Sequence, residues 1–383
     1  MPTTTESPPR AWAEVDLAAL RHNLTVAREV SGKRVMAVVK AGAYGHGLEA
    51  IAQCLAAEDI AFFGVANVAE ARRLAAAGIE TPIYLLGPTF PEEREEAAAK
   101  DWIPCLSTVE EAEDFSRLGG EQGKTVSTHL TLDTGMGRGG FLPENAPAAL
   151  EKILTLPNIE VTGIGSHLPS ADEDEKFTKE QFQTFDATVS TLLSILEGPL
   201  ARHSLGEGGT SHLKIHLSNS AGLLHYTSQT TNLVRPGLML YGVSPLPDYQ
   251  AKLATVMTLK SRVSVIRELP TGHGVSYGRS FVTTRPTKVA TVGIGYGDGY
   301  PRALSGKGAE VSIHSRRCPL LGRVTMDQIM VDVTDLPECA PGDEVELFGP
   351  NIPVAEVAEK AGTIAWEVFT SITPRVVRSY VGG

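Results

Sequence analysis

The 383-residue chain is poor in cysteine and aromatics and has no long apolar run, and each scarcity excludes something. Its four cysteines, Cys54, Cys105, Cys318 and Cys339, stand far apart and form no C-x-x-C pair. That argues against a disulfide framework or a thiolate metal site, and for small buried residues in a reducing cytoplasm. No metal is expected. No apolar stretch reaches the ~20 residues a membrane helix needs, so no membrane partner is expected. Lys and Arg total 34 against 45 Asp and Glu, a net charge of −11 with no basic block. Nucleic acid is therefore not an expected partner. Residues 1–10 are polar and proline-bearing, lack the apolar core of a signal peptide, and read as a flexible tail.

What is present is ordinary for a globular enzyme: 42% hydrophobic and 21% charged residues, over a length that suggests two domains. Between positions 35 and 242 short apolar runs alternate with amphipathic segments. Strands are expected at 35–39, 62–65, 83–86, 103–106, 127–132, 161–165, 214–217 and around 234, nearly all followed by a helical pattern. Eight such units predict a parallel (β/α)8 TIM barrel, with an open doubly wound sheet as the competing topology. Beyond 245 the texture changes to short strands at 254–268, 288–294, 310–313, 330–333 and 344–347, punctuated by Pro and Gly, with late helices at 354–361 and 364–370. The expected division is a barrel over 11–245 and a mostly β domain over 246–383, with the first strand, 11–15, packing on the latter.

The chain is organised around V-M-A-V-V-K-A-G-A-Y-G-H-G at 35–47. An apolar run delivers Lys40 to the C-terminal end of a barrel strand, where barrels keep their chemistry. Burial disfavours the ammonium form, and a neutral amine forms Schiff bases with aldehydes. The glycines at 42, 45 and 47 suit close backbone approach to a phosphate, and Tyr44 adds a hydroxyl donor. Together these describe a pyridoxal 5'-phosphate (PLP) site, although a strand ending in an exposed lysine and a loose turn fits the same residues. Arg138, in the glycine-rich loop after the fifth strand, suits a carboxylate or phenolate oxygen, or is a plain surface charge. His167 ends the sixth strand, Ser220 opens a helix after the seventh, and Arg235 ends the eighth, where barrels often hold phosphate. Each alone also fits a structural role.

V-V-K-A-G-A-Y-G-H-G closely resembles the PLP-lysine motif of alanine racemases, and D-T-G-M-G-R, S-H-L, S-N-S, V-R-P-G-L-M-L-Y-G, H-G-V-S-Y-G, G-Y-G-D-G-Y-P-R and G-R-V-T-M-D follow in family order. The resemblance covers nearly the whole chain. It implies that Lys40 carries PLP covalently and that Tyr44, Ser220, Gly237, Leu238 and the late Tyr380 hold the phosphate. Arg235 would face the pyridine nitrogen, and Arg138 would contact the phenolic oxygen and the substrate carboxylate. Racemisation needs a base on each face of Cα, and the family's second base matches Tyr277. A free tyrosine titrates near ~10, so its phenolate needs positive neighbours. The resemblance supplies them as a series from Tyr277 through His167 to Arg235. Arginine does not give its proton to the pyridine, which weakens the electron sink and favours racemisation over transamination. In the family Tyr277, Met326 and Asp327 reach a partner's site, implying a head-to-tail homodimer with alanine as substrate, supplying D-alanine for peptidoglycan in the cytoplasm.

Four positions depart from the family pattern. Gly42 replaces an Asp or Asn. Thr131 stands where many members have a lysine, often carbamylated, so Arg138 is expected to be held by an anion, a water or another side chain. Thr325 replaces a cysteine, and Trp366 a tyrosine at the substrate entrance. Thr131 and Trp366 keep open a racemase of altered or broader substrate range. A PLP carrier is disfavoured by the β domain and Tyr277, and a decarboxylase of related fold by the absence of a matching cysteine.

Overall fold

The computed structural model describes residues 9–199 and 209–383. Eight short strands form one parallel sheet: β2 (Arg34–Val38), β3 (Phe62–Val65), β4 (Ile83–Leu85), β5 (Cys105–Leu106), β6 (Val126–Thr131), β7 (Ile159–Gly165), β8 (Lys214–His216) and β9 (Leu233–Val234). The strand order is β4-β3-β2-β9-β8-β7-β6-β5. The two ends meet through a parallel bridge, Tyr84 with Ile103, whose backbone bonds Leu85 N–H to Ile103 O and Ile103 N–H to Ile83 O are each 2.9 Å. This is the expected TIM barrel. Buried on both faces, strands such as β3 (Phe-Phe-Gly-Val) need no alternation, which is why unbroken apolar runs marked them in sequence. Expected strand 103–106 contracts to β5, because Ile103 is reached only by that bridge.

β1 (Ala11–Asp16) does not join the barrel. It pairs antiparallel with β10 (Met257–Leu269) and parallel with the last strand, so the chain's first strand lies in the second sheet. That sheet contains β13 (Thr287–Val292), β14 (Glu310–Ile313), β15 (Arg316–Leu321), β16 (Ile329–Asp332), β17 (Glu344–Phe348) and β18 (Val377–Val381). β10 pairs with β1 and β17 along its first half and with β13 along its second, which closes six strands into a ring. A two-stranded hairpin, β11 (Gly274–Val275) with β12 (Phe281–Val282), projects from it. β15, β18 and the hairpin were not expected from sequence. β15 carries Arg316, Arg317 and Pro319, an edge-like composition without strand periodicity.

The expected loose tail lies outside the described residues except for Pro9 and Arg10. Arg10 is tied down: Nε donates to Gly293 O at 2.9 Å and Nη2 to Asp327 O. Cys105, Cys318 and Cys339 are buried and free, and Cys54 is half-buried beside Arg21. No helix among the described residues is long and apolar enough to cross a membrane.

Candidate active site

Lys40 stands two residues beyond β2, where the backbone turns left-handed. Ala41, Gly42, Ala43 and Tyr44 have φ of 54°, 63°, 56° and 51°, and Gly45 follows at 79°. L-residues disfavour this conformation by about 1–2 kcal/mol each, so the turn needs support from outside. Gly42 N–H donates to Glu70 Oε1 at 3.0 Å, and Arg378 Nε and Nη2 both donate to Gly45 O at 3.1 Å. The sequence suggested that these glycines serve a phosphate; the structure gives two of them a packing role. A Cβ at Gly45 would collide with Phe369 O and one at Gly47 with the Tyr380 hydroxyl, so these glycines let the β domain pack onto the turn. Gly42 differs: a Cβ there would meet nothing within 4 Å, and what favours glycine is its φ of 63°, which Asn and Asp tolerate best after glycine.

The turn presents Lys40 to a cavity of about 640 Å³ lined also by Tyr44, Arg138, His167, Ser220, Arg235, Gly237 and Leu238. Eight of the residues singled out in sequence are thus brought together at the C-terminal mouth of the barrel. Burial lowers the Lys40 pKa, Arg138 and Arg235 lower it further, and Glu70 opposes them. No hydrogen bond from protein engages its amine among the described residues.

One end of the cavity is a cradle of N–H donors. Asn219 caps the helix Ser220–His225, its side chain accepting from Gly222 N–H at 3.0 Å. Ser220 Oγ accepts from Gly237 N–H at 3.0 Å and Met239 N–H at 3.3 Å, while the N–H groups of Ala221 and Leu238 have no protein acceptor among the described residues. A Cβ at Gly237 would lie 2.5 Å from the Tyr44 hydroxyl, so glycine there admits Tyr44 to the cradle. Burial pushes the Tyr44 pKa up to about 12, which keeps it a donor.

Across the barrel Arg235 is buried and bonded through its terminal nitrogens. Nη1 donates to His216 Nδ1 and to His216 O at 3.1 Å; Nη2 donates to Ser166 O at 2.5 Å, His167 Nδ1 at 3.2 Å and Leu217 O at 3.3 Å. Nε is left without a protein acceptor among the described residues. Burial brings the Arg235 pKa down to about 10, so the side chain stays cationic at neutral pH. Because arginine only donates, Nδ1 of both histidines must be bare and their protons must sit on Nε2. His216 Nε2 then donates to His129 Nδ1 at 3.0 Å. Burial and Arg235 push His129 and His167 down to about 3 and His216 well below its usual value, so all three are neutral. Gly163 and Gly165 vacate the barrel interior for the two inner rings. These inner histidines were missed in sequence; their only signal was an imidazole inside each of two barrel strands, β6 and β8, that also carry other polar residues.

Arg138 rides a loop fixed by Asp133, whose Oδ1 accepts from Gly135, Met136 and Gly137 N–H at 2.9, 2.9 and 3.1 Å. The guanidinium itself is exposed and has no side-chain partner among the described residues of this chain. Thr131 lines the cavity with its hydroxyl buried beside Tyr84 and Cys105. Trp366 and Ile364 reach the cavity rim from the β domain.

Four predicted residues lie elsewhere. Tyr380 is not at the cavity wall; its hydroxyl donates to His46 O at 3.2 Å, behind the turn. Tyr277 follows β11 on a tight turn and is 71% exposed, and Met326 is 52% exposed. Asp327 accepts from Arg375 Nη2 at 2.7 Å, and Thr325 closes the same turn by donating to Gln328 O at 2.7 Å. The Tyr277 turn is pinned to this region by Ser276 Oγ donating to Arg323 O at 2.8 Å.

A half-buried amine at a barrel mouth, an N–H cradle and a buried arginine are the parts of a PLP site, and the chain matches the two halves of one family across both sheets. Residues 15–245 match the alanine racemase N-terminal domain and 256–380 the alanine racemase C-terminal domain. The chain belongs to the alanine racemase family. It is 38% identical over 384 residues to the alanine racemase of Halothermothrix orenii, covering 97% of this chain and 98% of that one. Its fold superposes on the alanine racemase of Clostridium difficile 630 with a TM-score of 0.89 at 31% identity, covering 98% and 97% of the two chains. The alanine racemase of Bartonella henselae, described with covalently bound pyridoxal phosphate, gives 0.85 at 32% identity over 98% and 100%.

Proposed function

We infer that the chain is a PLP-dependent alanine racemase that interconverts L- and D-alanine. The observation that carries this is Lys40, a half-buried amine of lowered pKa with no hydrogen-bond partner among the described residues, lining the same cavity as the N–H cradle and Arg235. The residues fit the cofactor. Lys40 would bond its aldehyde carbon, Tyr44, Ser220, Gly237 and Leu238 would hold its phosphate, and the free Nε–H of Arg235 would meet its pyridine nitrogen. When bound, the cofactor supplies an electron sink that acidifies the substrate α-proton.

The chain's own residues then divide the work. Lys40 takes or gives a proton on one face of Cα, which its lowered pKa makes feasible near neutral pH. Arg138 attracts the substrate carboxylate, and the Asp133 turn limits where it can reach. The opposite face needs a second base, and we assign it to Tyr277 of the partner subunit, accompanied by Met326 and Asp327 of the partner subunit, in a head-to-tail homodimer. His167 supports that assignment: with Nδ1 accepting from Arg235, its Nε2–H is available to donate to a phenolate. We read 11–245 as the cofactor-binding unit, 246–383 as the unit that serves the partner, and 1–10 as a tail. Action in the cytoplasm for peptidoglycan precursors belongs to the same proposal. The unsupported Arg138 favours a tolerant carboxylate grip, and with it a second reading of broader substrate range.

The test is incubation of PLP-loaded protein with L-alanine in D₂O, following α-proton exchange by NMR and D-alanine by chiral chromatography. Exchange with equal L and D at the end is expected. Exchange without inversion would defeat the two-base assignment, and no exchange with alanine but exchange with larger amino acids would favour the second reading.

A further inference from the structure

Two glutamates occupy the same place in the third and fifth strand–helix units of the chain, those of β3 and β5. Glu70 and Glu111 are each the third residue of their helices, Val68–Ala76 and Val109–Gln122, behind the N-caps Asn67 and Thr108. Each sends one carboxylate oxygen back to a loop N–H four residues earlier. Ala66 N–H donates to Glu70 Oε2 at 2.9 Å, and Ser107 N–H donates to Glu111 Oε2 at 2.7 Å. This is ordinary helix capping. The second oxygens differ. Glu111 Oε1 faces Arg94 at 3.7 Å, away from the cavity wall. Glu70 Oε1 crosses to the neighbouring loop and accepts from Gly42 N–H at 3.0 Å, in the middle of the left-handed turn that begins at Lys40.

We propose that Glu70 is a positioning residue for Lys40, holding the amine-bearing turn in its left-handed form through Gly42 N–H and keeping a negative charge beneath the amine. Glu70 is 8% exposed, so its bonds compete little with water. Both its oxygens are committed to backbone donors, which leaves none for the cofactor and distinguishes it from a residue that touches reacting atoms. The charged groups acting on Lys40 are Arg138 and Arg235, which oppose protonation, and Glu70, which favours it; neutral His167 faces the same amine. The assignment rests on the PLP reading for its effect on cofactor, but its geometric half does not.

Glu70→Gln tests both halves, with Glu111→Gln as the capping control. A glutamine offers one acceptor and turns its amide N–H₂ toward the other backbone donor, so one of the two bonds is lost. In cofactor-free full-length protein, hydrogen exchange at the Gly42 amide is expected to rise tenfold or more in E70Q and to stay at the wild-type rate in E111Q. In holoenzyme, the pH midpoint of the visible cofactor band is expected to fall by roughly one unit in E70Q, because an anion near a cationic nitrogen is removed, and cofactor loss on dialysis is expected to quicken severalfold. E111Q should lower the melting temperature with none of these changes. If E70Q does not fold, Glu70→Asp takes its place. Aspartate keeps the charge but is too short to span both donors, so Gly42 exchange should rise with an unchanged midpoint. Equal Gly42 exchange in wild type and the folded Glu70 variant would overturn the assignment. Wild-type protein that takes up no PLP would overturn the functional reading instead, leaving the exchange comparison to decide Glu70.

Discussion

The barrel mouth and the exposed face of the β domain carry the two halves of the predicted chemistry under opposite conditions. At the mouth, Arg235 is buried and Lys40 and His167 are half-buried, and each has its pKa lowered chiefly by loss of water. On the β domain, Tyr277 and Met326 stand in solvent on turns whose backbones are pinned by Ser276 and Thr325. Burial makes the mouth chemically distinctive by itself, because desolvation changes the energy of charged forms. The β-domain residues are exposed, and the proposed dimer is what would bring them to a partner's cavity. Glu70 and Arg378 act on the mouth from behind, through the turn.

The comparison breaks most severely at Lys40. Lys40→Ala is expected to hold no covalent cofactor and to lose racemisation by more than about 10⁴-fold, read by chiral chromatography. Tyr277→Phe is expected to cost about 10²–10⁴-fold in racemisation while covalent cofactor binding persists. Mixing the two inactive variants sharpens the point. Random heterodimers in a head-to-tail arrangement would regain one complete site each, about a quarter of wild-type activity; no recovery would mean that Tyr277 does not serve a partner's site. Arg138→Gln is expected to raise KM for alanine about 10–100-fold with a smaller change in kcat, since it removes a carboxylate contact. An equal loss in kcat would give Arg138 a part in the proton transfer.

The next effect is on stability. His46, His129 and His167 are pushed down to about 4, 3 and 3, mainly by burial. The unfolded chain therefore binds protons that the folded chain refuses. Stability is unpenalised above pH ~6.5 and falls as pH drops toward the folded values, by about 1.4 kcal/mol per unit for each fully neutral histidine. Thermal denaturation from pH 7 to 5 should show a falling melting temperature, and His46→Gln should make that fall shallower; an unchanged slope would remove His46 from the linkage. Smallest, Trp366→Ala should leave alanine turnover within a few fold and raise relative kcat/KM for larger amino acids by an amount of the order of a lost methylene contact, about 10-fold.

The sequence by itself determined the eight-fold β/α alternation, because strands buried on both faces must be apolar throughout, and it determined which residues end them. Lys40, Tyr44, Arg138, His167, Ser220 and Arg235 were legible for that reason: each lies on a segment that follows a strand, and a barrel gathers strand ends at one rim; Gly237 and Leu238 were legible only through the family resemblance. Only the tertiary structure decided what lies behind them. Gly45 and Gly47 looked like a phosphate loop, yet they make room for Phe369 and Tyr380 from more than 300 residues away. Tyr380 looked like a phosphate ligand and instead bonds His46 O. Glu70 reads locally as a capping acid like Glu111, and the two differ only in what the neighbouring βα unit brings to the second oxygen. Local patterns record periodicity and burial, which act along the chain; the partner of a hydrogen bond across the fold is set by packing between distant segments, and no short window of sequence carries it.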